Sequence, residues 1–174
     1  MRPKQAAKNR RRGLSLLEMM AATAIMATLT VSVVVVMRSG YAVWNAQEAD
    51  IDVLENGYGV LRHVVTQMRQ AANVSAITAA NNTAGSLSFT TPSGVTRTWA
   101  RNATNDVYFN NGTSNQLLAK NINSLTFTGF KADGITATTT VADIQVVQCQ
   151  LQITLPRGAG VTRTLTTRAW VRAW

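Results

Sequence analysis

Few residues in this chain have the type and setting needed for chemistry. His63 and Cys149 are the sole imidazole and the sole thiol in 174 residues. A side-chain nucleophile needs an activating base beside it, and neither residue stands in a known nucleophile motif. The single Cys excludes an intramolecular disulfide and a Cys-based zinc site, and the single His excludes a His-cluster metal site. Asp106, Asp133 and Asp143 are isolated among turn-forming residues, which suits loops better than an acid/base pair. There is no Gly-rich phosphate loop. His63 is expected at the surface or stripe edge of a helix, and Cys149 in a strand core. The most unusual setting belongs to Glu18, the only charge between Leu14 and Met37. A carboxylate in a membrane-spanning helix costs about 2.5–3.5 kcal/mol at mid-bilayer and less near the interface, so a partner is expected for it.

The element that must carry Glu18 is apolar and long. Met19 to Met37 is a run of nineteen uncharged residues. As a helix it spans on the order of 29 Å, close to a bilayer core. Ahead of it stand Arg2, Lys4, Lys8, Arg10, Arg11 and Arg12, six of the chain's 17 Lys and Arg. That cluster predicts an N-terminus kept on the cytoplasmic side. The run is too long for a cleaved secretory signal, and no clear A-x-A site follows it before Arg38. A plain signal anchor fits length and charge but leaves Glu18 unexplained.

The stretch Arg10-Arg11-Arg12-Gly13-Leu14-Ser15-Leu16-Leu17-Glu18 resembles the signal of type IV pilins and type II secretion pseudopilins. The resemblance implies cleavage by a prepilin peptidase between Gly13 and Leu14, and N-methylation of Leu14. It makes Glu18 the fifth residue after the cut, paired with the new α-amino group of its own or a neighbouring subunit. Gly13 would leave the peptidase unhindered. Leu14 stands where the family usually has Phe, and Val35 where many of its members have a kinking Pro.

Beyond the apolar run, Leu54, Tyr58, Leu61, Val65, Met68 and Ala72 recur at steps of four and three, one stripe of a helix. The spacing predicts one helix from Leu14 to about Ser75, bent or loosened near Gly40 or Gly57. Gly57 and Gly59 each weaken it by about 1 kcal/mol relative to Ala. From about Asn81 the chain turns to Thr, Asn, Ser and Gly with short alternating runs. Strands are expected around Leu87–Phe89, Val95–Trp99, Val107–Phe109, Leu117–Leu118 and Leu125–Phe127. The clearest is Val147, Cys149, Leu151, Ile153 and Leu155, interleaved with Gln and Thr. Residues 156–160 form a turn, and Val161 to Trp174 returns as its partner. The result is an α+β, pilin-like fold, a long helix packed on a C-terminal antiparallel sheet. Its expected divisions are a leader at 1–13, a membrane helix at 14–37, the outer half of the helix at 38–77 and a β-region at 78–174.

Met68-Arg69-Gln70-Ala71 and Leu118-Ala119-Lys120-Asn121-Ile122-Asn123-Ser124-Leu125-Thr126-Phe127, with the closing strand pair, resemble the J-type minor pseudopilins and related minor pilins. This resemblance implies a minor subunit of a secretion pseudopilus or pilus, anchored in the inner membrane with its β-region outside. Its partners would be the peptidase and other subunits, with no cofactor and no enzymatic activity of its own. Trp170, Arg172 and Trp174, on one strand parity with Arg168, are candidate interface residues. Packing of that strand on the helix competes with exposure, and Trp99 shares the question. The rival function is a signal-anchored binding module for DNA or secreted cargo that forms no filament.

The whole-chain charge of +9 suggests a nucleic-acid partner. Only 14% of residues are charged, however, and 46% are hydrophobic. Loss of residues 1–13 would leave 11 Lys and Arg against 8 acids, a charge of +3. That argues against nucleic acid as the main ligand.

Overall fold

A computed structural model describes residues 15–156 and 160–171. The chain divides after Trp44 into two units. Helix α1, Leu16–Met68, supplies all the regular structure described in the first and the opening element of the second. It is continuous through Gly40 and Gly57. It ends at Met68, not near Ser75, and closes with turns in which Gln70 N–H donates to Gln67 O and Ala71 N–H to Met68 O. Asn73–Ile77, predicted as the helix's last turns, is instead strand β1. Its Val74 is buried and it pairs with the next strand, so tertiary pairing overrides the helical periodicity.

Two antiparallel sheets replace the single sheet expected. The first is a meander in the order β1 (Asn73–Ile77), β2 (Ser86–Thr90), β3 (Thr96–Arg101), β4 (Val107–Asn110), β5 (Asn115–Ala119). The second has the order β7-β6-β8-β9, with β6 Ile122–Phe130, β7 Ala137–Thr138, β8 Val146–Thr154 and β9 Thr162–Trp170. One parallel bridge, Ala84 to Leu125, links the sheets. There Gly85 N–H donates to Leu125 O at 2.7 Å. A Cβ on Gly85 would lie 2.4 Å from that oxygen, so only glycine permits the approach.

The β8–β9 hairpin runs in unbroken register from Val146↔Trp170 to Thr154↔Thr162. Val147, Cys149, Leu151 and Ile153 point inward and are buried, as their period of two predicts. Gly57, Val60, Leu61, Val64 and Met68 form the buried stripe of α1. That stripe is rotated from the predicted one: Tyr58 is 57% exposed, and Leu54 and Val65 are only partly buried. The reason is Gly57. Its missing side chain lets the helix approach the second sheet, where an added Cβ would sit 2.9 Å from Leu165 Cδ1 and 3.3 Å from Leu151 Cδ1. Residues of α1, both sheets and the closing Val171 share one hydrophobic core centred on Trp99, Phe89 and Phe127.

Candidate functional site

The N-terminal end of α1 is built around Glu18. Ser15 N–H donates to Glu18 Oε2 at 3.0 Å, and Leu17 N–H donates to Ser15 Oγ at 3.3 Å. Ser15 and Glu18 thus cap the helix reciprocally, satisfying N–H groups that have no partner within the helix. The carboxylate also lies where the helix dipole favours negative charge. The Ser-x-x-Glu spacing at 15–18 was a legible signal for this cap. Gly13 and Leu14, the expected cleavage and methylation positions, lie outside the described residues.

Behind the cap, the residues from Leu16 to Met37 are exposed without exception. Among the described residues one helix is long and apolar enough to cross a membrane, and its most apolar window is entirely unburied. Its hydroxyls are turned to the helix's own carbonyls: Thr23 Oγ1 to Met20 O, Thr28 to Ile25, Thr30 to Met26 and Ser32 to Thr28, at 2.8–3.0 Å. These four hydroxyls, which would otherwise oppose burial in lipid or against another helix, are thereby satisfied internally. Met37, Tyr41 and Trp44 flank Gly40 in a shallow apolar hollow.

The other candidate residues fall into place differently. Cys149 is fully buried, and burial pushes its thiol up to about 12, so it is inert at neutral pH. His63 is half-buried. Its Nδ1 accepts from Trp99 Nε1 at 3.1 Å, and its ring meets Phe109 edge-on at 4.5 Å. Desolvation, with a smaller contribution from the Arg97 charge, lowers its pKa. Trp99 is wholly buried, so it belongs to the core and not to an exposed aromatic surface.

Trp170 is 59% exposed on the outer face of β9. Arg168, on the same face, lies over the Phe130 ring at 4.8 Å and donates to Gln148 Oε1 and Gly134 O. Arg172 and Trp174 lie outside the described residues. Asp133 caps its own turn: hydrogen bonds from Thr136 Oγ1 and from the Ile135 and Thr136 N–H groups hold its pKa down. Asp106 accepts from Thr104 Oγ1, and Asp143 stands 3.8 Å from Lys131 Nζ. Among the described residues no group of three or more His, Cys, Asp or Glu is placed to hold a metal.

A capped start, an exposed apolar helix and antiparallel sheets after it are the arrangement of an α+β, pilin-like fold. The prokaryotic N-terminal methylation motif matches residues 8–34, as the basic leader, Gly13 and Glu18 predict for a type IV pilin or pseudopilin. That motif is one of structural proteins processed by prepilin peptidase, not of enzymes. Neither a curated protein nor a solved structure gives a significant match to the chain.

Proposed function

We propose that the chain is a minor subunit of a type II secretion pseudopilus or a type IV pilus. The observation that carries this reading is Glu18, a single charge at the capped start of an exposed apolar helix, within the methylation motif. Prepilin peptidase cuts after Gly13, and Leu14 is methylated. Before assembly, Leu14 to Met37 faces lipid, with the leader cytoplasmic and the β-region outside. After assembly the same surface faces neighbouring helices, which costs little because lipid and helix surfaces are both apolar.

Glu18 then has two tasks. One oxygen keeps the helix cap, and the remaining lone pairs accept the α-amino group at Leu14 of a neighbour, setting register. In a low-dielectric setting that pair is favoured over a lone carboxylate. The position at the filament tip and the contact through Trp170, Arg172 and Trp174 belong to the same proposal. The exposure of Trp170 supports that contact.

Co-expression with a prepilin peptidase tests the reading. Mass spectrometry of the purified product is expected to show loss of residues 1–13 and one added methyl group. An intact N-terminus under active peptidase sinks the reading and leaves the signal-anchored binding module in its place.

A further inference from the structure

The second sheet ends on one side in β9, whose outer edge pairs with nothing among the described residues. Nine-residue edges without protection are uncommon, because they invite pairing with another chain. The other edges here are blunted. β7 has two residues, β1 is irregular between Val74 and Ala76, and the β4–β5 register shifts near Tyr108. By contrast, β9 (Thr-Arg-Thr-Leu-Thr-Thr-Arg-Ala-Trp) has no Pro, Gly or Lys and no bulge against β8.

The direction of its free groups follows from the ladder. Leu155 N–H donates to Val161 O at one end, and Val171 N–H donates to Gln145 O at the other. Odd-numbered residues therefore bond to β8, and the alternation of an antiparallel pair turns the main chain of Thr162, Thr164, Thr166, Arg168 and Trp170 outward.

A groove of about 650 Å³ adjoins this edge, between Thr166 and Thr167 of β9 and a face of α1. On that face Tyr58 is exposed and Val65 only partly buried, so the sheet covers this part of the apolar stripe incompletely. Arg62 and Arg69 flank them, and neither guanidinium has an ion-pair partner among the described residues. A strand added to β9 would extend the sheet over this face. It would cover the apolar residues and bring its own side chains to the two arginines.

We propose that the β9 edge and its groove bind an extended strand, carrying acidic side chains, from a partner protein. Strand addition supplies main-chain hydrogen bonds, and the pocketed side chains supply selectivity. The charge excludes self-pairing as the favoured mode. β9 holds Arg163 and Arg168 and no acid, so a second copy would add like charge to this edge with no acid to offset it.

The probe is a short synthetic peptide alternating valine with glutamate, titrated into the full chain in detergent. Binding is expected, with new protection of the Thr164 and Thr166 amides from hydrogen exchange. Replacing the peptide's glutamates by lysine, or making Arg62→Glu with Arg69→Glu, is expected to weaken binding at least about tenfold. Thr166→Pro removes an outward N–H without touching the β8 ladder and is expected to abolish binding while the circular dichroism stays native. No binding of the valine–glutamate peptide overturns the proposal, as does binding indifferent to Thr166→Pro and to the arginine changes. Self-association through β9 overturns the acidic occupant. Peptide binding requires neither leader cleavage nor assembly, so its failure leaves the pilin reading standing, and the reverse holds too.

Discussion

Glu18 meets a structural demand and, on the proposed reading, a functional one as well. Its hydrogen bond to Ser15 N–H accounts for a carboxylate at this helix end without any partner subunit. The capping and charge roles separate by substitution. Glu18→Gln keeps an acceptor for Ser15 N–H but loses the charge, whereas Glu18→Ala loses both. If the charge sets register, both variants are cleaved normally and both fail to enter filaments, as read by shearing and immunoblotting. Normal incorporation of the Gln variant would assign Glu18 to capping alone. His63 gives a second test. Its pKa is lowered in the fold, so the unfolded chain takes up the proton first as pH falls below about 6.5, and the native state loses stability below that point. Protonation would also turn Nδ1 into a donor facing the Trp99 N–H. His63→Gln keeps an acceptor there without a titrating group. Its melting temperature is expected to fall less than that of the parent between pH 7.5 and pH 5.

At the scale of the element, glycine decides which helix face is buried. Gly57 and Gly59 carry the same propensity penalty, yet they stand in opposite surroundings. An added Cβ at Gly59 meets nothing within 4 Å, so Gly59→Ala is expected to stabilise by up to about 1 kcal/mol in denaturant unfolding. At Gly57 a methyl group meets the flexible end of Leu165, and alanine should be close to neutral. Gly57→Val adds two methyl groups to a Cβ already 3.3 Å from Leu151 Cδ1 and is expected to cost about 1–3 kcal/mol. The strict alternation of β8 was legible because one face is buried and one is wet. The stripe of α1 was legible as a helix but not in its rotation, because periodicity counts apolar residues and not the gap a glycine opens. β1 was not legible at all. Its five residues continue the helical spacing, and only their pairing with β2 fixes them as a strand.

Across the whole molecule, the strongest charge cluster and the strongest apolar run stand side by side at the N-terminal end of the chain. On the proposed reading the leader's cations set topology, so replacing Arg10, Arg11 and Arg12 by Ser should let a fraction of chains insert with the N-terminus outside. Protease added to spheroplasts would then leave part of the β-region protected, whereas the parent's is digested. The leader, the span and the lone carboxylate are consecutive in the sequence, and local spacing alone specifies them. For this reason the N-terminal methylation motif was readable before any fold was known. The burial of Trp99, the exposure of Trp170, the split into two sheets and the open edge of β9 depend on contacts between residues far apart in the chain. Those contacts are set by which surfaces the core can cover, a balance of area and shape that no local pattern of residue types encodes.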